Sequence, residues 1–381
     1  MNGLRTNTNK DGTTMTPTNK RLLIAGGGTG GHLFPAVALA DLWEAGGGET
    51  LFVGASGGME CRILPELGKR LITLKVGRIK GGGAMAKIHT VLGLPVAFVG
   101  ALRAVRDFAP HAVLGMGGYA SAPSVVAARL LGIPTLLHEQ NAIPGLTNRW
   151  LGRLANRVLT GFAQATTFFP QGVAVETGNP VRKEFPVPFP SLVPPKTSEP
   201  LRLLIFGGSQ GARIFTEVVP HALIELHQQG LRFHVRQQAR PEDLASVQTL
   251  YEQAGIPSET ATFFKDMATA YQDAHLVISR AGASSVAELA AVARPSLLIP
   301  YEFAADDHQT ANAIPLTHAG GAWTQTQKEF NVSWLVEFLR QRYQDPESLV
   351  IAGENARTLA RPHAATTMMV EILQLLRTTK D

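Results

Sequence analysis

The chain has 381 residues, of which 45% are hydrophobic and 17% charged, which is ample for two buried cores and excludes a charge-rich disordered chain. Its net charge of +5 favours anionic partners, and the single cysteine, Cys61, excludes an internal disulfide framework and fits a reducing cytosol. No apolar run reaches the ~20 residues that span a bilayer. Residues 1–20, rich in Thr, Asn, Lys and Gly, read as a disordered tail without the apolar stretch of a targeting signal.

The first element sets the pattern for the rest. Arg21-Leu-Leu-Ile-Ala-Gly-Gly-Gly-Thr-Gly-Gly-His32 is a strand-like run ending in glycines, and Arg202-Leu-Leu-Ile-Phe-Gly-Gly-Ser-Gln-Gly-Ala212 repeats it mid-chain. A strand, a glycine turn and a helix open a βαβ unit, where glycines let backbone N–H groups approach a phosphate at the helix N-terminus. Two such openings predict an α/β chain of two Rossmann-like, doubly wound domains facing a cleft. In the first half, residues 22–25, 50–53, 113–114, 135–137 and 158–159 read as strands and 34–44 as a helix. In the second, 201–206, 232–235, 276–279 and 296–300 read as strands, and 283–293 and 365–376 as helices. Six prolines between Pro186 and Pro200 cannot lie inside either element. The boundary is therefore set just before them, giving domains of 21–182 and 183–360.

Between Cys61 and Arg106 nine Lys/Arg stand against one acid, Glu66. Arg78, Lys80, Lys87, Arg103 and Arg106 flank an apolar run over 88–102 that is either a buried helix or a patch that dips into anionic lipid headgroups. Without aromatic interleaving, nucleic acid is not an expected partner.

Gly26-x-Gly28-x-x-Gly31 fits the dinucleotide fingerprint, but the second strand ends in Gly54 without the acid that would hold a ribose, and His32 stands where a P-loop needs Lys. Gly207-Gly-Ser209-Gln-Gly211 fits a nucleophile elbow, with Asp306 and His308 following in hydrolase order. A serine hydrolase explains only one of the two glycine loops, whereas a phosphate loop explains both. No metal-ligand spacing and no Asp-x-Asp is present, so helix N-termini and neutral donors would have to hold a diphosphate. Ser279-Arg-Ala-Gly-Ala-Ser-Ser-Val-Ala-Glu-Leu289 offers both: Ala283, Ser284 and Ser285 open a helix, and Glu288 follows one turn later, within reach of a ribose diol. The loop 301–312 carries Asp306, Asp307, His308, Gln309 and Asn312, planar groups suited to sugar hydroxyls.

Taken together these residues resemble the MurG family, membrane-associated transferases that add N-acetylglucosamine (GlcNAc) to lipid I. The blocks that carry the resemblance are Gly27-Gly-Thr-Gly-Gly-His-Leu-Phe-Pro35, Leu114-Gly-Met-Gly-Gly-Tyr119, His138-Glu-Gln-Asn141, Gly145-Leu-Thr-Asn148, Gly178-Asn-Pro-Val-Arg182, Gly207 to Arg213, Ala281 to Glu288 and His308-Gln-Thr-Ala-Asn312. The family implies the B-type glycosyltransferase fold, with the donor UDP-GlcNAc on the C-terminal domain and lipid I on the N-terminal one. It also implies a last helix, about 361–381, that crosses back to the first domain. By matching position, Ser209, Ala283, Ser284 and Ser285 would hold the diphosphate, Glu288 the ribose, Phe264 (by its backbone) and Arg182 the uracil, and Gln309 with Asn141 the sugar. Thr29, Gly30 and Gly31 would line the cleft. Tyr119 and the basic residues Arg78, Lys80, Lys87, Arg103 and Arg106 would face the acceptor and an anionic membrane surface.

The implied reaction is a single inverting displacement, without metal or other cofactor, that makes lipid II for peptidoglycan at the cytoplasmic face of the inner membrane. It serves cell-wall biogenesis and with it cell shape and division. His32 is the first candidate for the base, with Glu139 and His138 in reserve. Two departures stand out: Arg236-Gln-Gln-Ala239 replaces a usual His-Gln pair before Gly, leaving Gln237, and Lys265 replaces a commonly acidic residue. The alternatives are a UDP-GlcNAc 2-epimerase on the same fold, the hydrolase using Ser209, and a UDP-sugar-binding regulator.

Overall fold

The computed structural model describes residues 16–75, 84–118, 120–185, 188–196, 199–208 and 211–378. Arg78, Lys80, Tyr119 and Ser209 lie outside them, and so does the side chain of Lys87. One compact unit runs to Pro180 and takes back the chain from His363, and the other is Val181–Pro362.

In the first unit the strands are β1 (Arg21–Gly26), β2 (Glu49–Ala55), β3 (Leu71–Leu74), β4 (Ala112–Gly117), β5 (Thr135–Glu139), β6 (Arg157–Thr160) and β7 (Ala174–Glu176). They pair in parallel in the order β3-β2-β1-β4-β5-β6-β7. The second unit holds β8 (Leu201–Phe206), β9 (Phe233–Gln238), β10 (Ser258–Ala261), β11 (Leu276–Ser279), β12 (Ser296–Leu298) and β13 (Ala322–Thr324). Their order is β10-β9-β8-β11-β12-β13, again all parallel. Each sheet thus reverses its strand order beside its Arg-Leu-Leu-Ile strand, which is where open α/β sheets bind ligands. The repeat extends to a side chain. Arg21 N–H donates to His111 Nδ1 at 3.0 Å, and Arg202 N–H donates to His275 Nδ1 at 3.1 Å.

Apolar runs fill both faces of each sheet, as parallel sheets require. Leu23, Val53, Val113 and Leu137 face one side of the first sheet and pack on Ala97, Ala101, Ala104, Val105 and Phe108 of the helix Ala84–Phe108. Leu22, Ile24, Phe52 and Leu114 face the other side, where Leu33, Leu39 and Trp43 of the helix Gly30–Ala45 meet Met368, Ile372 and Leu376 of the C-terminal helix Ala364–Thr378. Arg157 pairs with Glu371 on that helix at 3.6 Å. The last helix therefore belongs to the first unit's core.

Two elements differ from the sequence reading. The strand expected over 232–235 runs three residues further, because the polar Gln237 and Gln238 are buried with their amides satisfied. The strand expected over 296–300 ends at Leu298. The proline segment packs on the second unit through Arg294, whose buried guanidinium donates to Pro190 O and lies over the Phe189 ring.

Candidate functional site

The first glycine loop is built around two side chains. His32, in the first turn of the helix Gly30–Ala45, is half-buried and donates from Nδ1 to Gly27 O at 3.1 Å, with Thr29 Oγ1 at 3.4 Å. Its Nε2 faces Gly117, where a Cβ would meet that nitrogen at 3.2 Å. With Nδ1–H committed to a carbonyl, the lone pair of the neutral ring is on Nε2. Below the loop lies Glu60, fully buried, accepting Gly28 N–H at 2.8 Å and Ala55 N–H at 2.9 Å. Gly27, Gly54 and Gly58 leave the carboxylate its space, since a Cβ at any of them would come within 2.5 Å of a carboxylate atom or its neighbouring carbon. The sequence reading missed Glu60. The available signal was an acid soon after the second strand, close to where the fingerprint lacked one.

The block His138–Asn141 is a scaffold. His138 is buried, donates from Nε2 to Gly178 O at 3.4 Å and accepts from Gln140 Nε2 at 3.0 Å. Burial lowers its pKa to about 4, the Gly178 bond opposes this, and His32 nearby lowers it further. Glu139, also buried, accepts from Asn141 N–H and Nδ2, Gly145 N–H and Asn148 Nδ2 at 2.9 to 3.2 Å. The reserve bases need correction here. The Glu139 carboxylate is engaged on both oxygens and His138 is a neutral internal strut. Asn179 Nδ2 donates to Gln140 O at 2.9 Å, so three of the sequence blocks are knit into one network. Asn141 is held at the surface of that network by Glu139.

In the second unit Arg182 Nε donates to Glu288 Oε1 at 3.1 Å, and Tyr271 Oη donates to Glu288 Oε2 at 3.0 Å. Arg182 therefore folds with this unit, although the sequence reading ended the first domain there; the buried carboxylate draws it in. Burial pushes the Glu288 carboxyl up, and Arg182 and Tyr271 pull it back down. Ala283, Ser284 and Ser285 form the first turn of the helix Ala283–Ala291, whose N-cap, Gly282, provides no side-chain cap. Such a helix start presents N–H groups and a positive dipole end to an anion. Phe264 is buried, and Gln309 Oε1 accepts Tyr301 N–H at 2.9 Å. Asp306 and Asp307 both have positive φ, 53° and 51°. His308 donates from Nδ1 to Ala305 O at 2.7 Å, not to Asp306, so the hydrolase pairing read from chain order is not formed.

Of the two sequence departures, Arg236 ion-pairs with Glu259 at 2.8 Å and Asp273 at 2.7 Å, and Lys265 is exposed. Gln237 is buried, donates to Phe215 O at 3.2 Å and accepts Tyr251 Oη–H at 2.5 Å, so it is a packing residue. The helix Ala84–Phe108 buries one face. Its other face exposes Val96, Val99, Arg103 and Arg106, spaced to form one stripe, so the buried-helix reading describes one face of this segment and leaves the other open to a partner. Elsewhere in the first unit, Leu146, Trp150 and Leu154 are also exposed, with Arg153 over the Trp150 ring at 5.0 Å and Arg149 over Phe168 at 5.1 Å. Among the described residues no helix is long and apolar enough to cross a membrane. Nor, among them, does any group of three or more His, Cys, Asp or Glu side chains stand ready to hold a metal ion.

Two Rossmann-like units with parallel sheets, the first taking back the C-terminal helix, define the B-type glycosyltransferase fold, and the family models agree. Residues 22–160 match the glycosyltransferase family 28 N-terminal domain, and 202–368 match its C-terminal domain. The chain is 48% identical to the UDP-N-acetylglucosamine--N-acetylmuramyl-(pentapeptide) pyrophosphoryl-undecaprenol N-acetylglucosamine transferase of Magnetococcus marinus, covering 95% of this chain and 100% of that protein. It is 40% identical to the protein of the same name from Geobacter metallireducens, over 94% and 100%. The crystal structure of Acinetobacter baumannii MurG superposes with a TM-score of 0.75 at 32% identity, over 93% of this chain and 99% of that one. A UDP-GlcNAc 2-epimerase from Neisseria meningitidis, 13% identical with a TM-score of 0.63, shares the fold alone. The chain belongs to the MurG family of glycosyltransferases.

Proposed function

We propose that the protein transfers GlcNAc from UDP-GlcNAc to the 4-hydroxyl of the MurNAc-pentapeptide of lipid I, forming lipid II for peptidoglycan. Family membership supports the substrates and speaks against the epimerase and hydrolase alternatives. One observation carries the mechanism: His32 Nδ1–H is spent on Gly27 O, which leaves Nε2 as the proton acceptor beside Gly117. His32 takes the hydroxyl proton as the oxygen attacks the anomeric carbon opposite UDP, so the α bond to UDP becomes a β(1→4) bond. The leaving diphosphate is stabilised by Ser209, Ser284 and Ser285 and by the start of the helix Ala283–Ala291. Glu288 takes the ribose, Phe264 and Arg182 the uracil, and Gln309 with Asn141 the sugar. Thr29, Gly30 and Gly31 line the cleft at the acceptor's diphosphate and the donor sugar. Neutral donors and a helix end replace a metal, so neither metal nor other cofactor is needed.

The first unit meets the cytoplasmic face of the inner membrane through the stripe Val96, Val99, Arg103, Arg106, and Arg78, Lys80, Lys87 and Tyr119 serve the same membrane and acceptor contact. Exposed apolar side chains followed along the helix by two exposed arginines suit anionic headgroups without spanning the bilayer.

The test is transfer in the presence of EDTA with the product's new linkage assigned by NMR. A β-linked product at an undiminished rate is expected. An α-linked product, or loss of activity restored by Mg²⁺, contradicts the mechanism.

A further inference from the structure

Gln238 closes β9, is buried, and has all three of its amide hydrogen-bonding functions engaged. Its Oε1 accepts Gly207 N–H at 3.0 Å. Its Nε2 donates to Gly208 O at 3.0 Å and to Thr262 O at 3.0 Å. The position explains the partners. β9 lies between β8 and β10, so its last residue stands beside the glycine loop that leaves β8 and the 262–264 loop that leaves β10. Gln237, one residue earlier, is spent on Phe215 and Tyr251 and cannot serve. Gly208, with φ of 84°, has no side chain to hold its peptide, so an outside partner must fix it.

We propose that Gln238 is a positioning residue of the donor site, tying the diphosphate loop at Gly207-Gly208 to the uracil-side loop at Thr262. This rests on the reading of UDP-GlcNAc as donor and extends it. One amide sets the spacing of two loops that must grip opposite ends of one uridine diphosphate, so ordering is complete before the nucleotide arrives. Only an amide fits. A carboxylate would face two carbonyl oxygens, and an apolar side chain would leave all three backbone groups without their side-chain partner.

The experiment compares the full-length wild type with Q238M, which keeps length and burial, and Q238E, measuring UDP binding by calorimetry, steady-state transfer and urea unfolding. Q238M should raise the UDP Kd and the KM for UDP-GlcNAc roughly ten- to hundredfold while the KM for the lipid I analogue stays constant. Q238E should be at least as impaired. Lowered stability with an unchanged UDP Kd would mean a merely structural residue and overturn the proposal. Wild type that binds no UDP would overturn the donor reading and the proposal with it, whereas wild type and Q238M binding UDP alike would overturn the proposal alone. If the variants do not fold, amide exchange in the nucleotide-free wild type decides: slow exchange at Gly207 is expected, and rapid exchange refutes the tie.

Discussion

Arg182 Nε and Glu288 Oε1 lie 3.1 Å apart, and both side chains are largely buried. The resemblance assigns these residues to different parts of the nucleotide, the uracil side and the ribose, yet the fold pairs them. A buried carboxylate this close to a guanidinium keeps its charge only through that partner and Tyr271 Oη. The pair therefore fixes the orientation of the carboxylate, as the proposed role on the ribose requires.

Removing the partner should then cost more than removing the charge. Arg182→Met leaves Glu288 buried with Tyr271 Oη but without its cation, and is expected to destabilise the second unit by about 3 kcal/mol and to raise the KM for UDP-GlcNAc. Glu288→Gln keeps the shape and should cost less stability, with a larger effect on KM than on kcat. Urea unfolding and steady-state kinetics check both. Equal stability losses in the two variants would argue against the asymmetry.

His32→Ala should lower kcat by roughly a hundredfold or more while leaving UDP affinity unchanged, since proton transfer is lost and the nucleotide site is untouched. Retention of wild-type kcat would remove His32 from the chemistry.

Glu60 makes a subtler test. Both carboxylate oxygens accept backbone N–H groups, from Gly28 and Ala55. Glu60→Gln is nearly isosteric but sets an NH2 group against one of those N–H donors, and should destabilise the first unit by about 1–3 kcal/mol. With the loop slackened, transfer should fall while UDP affinity is kept. A variant as stable and active as wild type would show that the loop needs no support from below.

Stability should fall with acid for a definable reason. Burial holds His138 and His275 at pKa values of about 4, below the 6.5 of the exposed side chain. Below pH 6.5 the unfolded chain takes up protons that these folded histidines refuse, so their stabilising contribution is present above 6.5 and is lost as the pH falls toward 4. For His138 the loss approaches about 3 kcal/mol at the acid end. The urea midpoint should drop steadily between pH 6.5 and 5, and His275→Gln should flatten part of the drop. A midpoint constant over that range would contradict the neutral, buried state.

The duplicated Arg-Leu-Leu-Ile strands made the two sheets legible in the sequence, because a strand, glycines and a helix is a local pattern. The supports beneath the loops were not legible. Glu60 and Gln238 act through contacts made across neighbouring strands, and their polar character reads as surface until the burial is seen. The same blindness made Glu139 look like a spare base. Its sequence neighbours suggested chemistry, while Gly145 and Asn148, several residues on, saturate it. Ser284 and Ser285 were found at a helix start because glycine followed by small polar residues is itself the signal for one.

The most direct measurement is transfer of labelled GlcNAc from UDP-GlcNAc to a short-chain lipid I analogue. The expected result is a labelled glycolipid that requires both substrates and is suppressed by UDP. Release of UDP without labelled glycolipid, at saturating acceptor, would contradict the assignment.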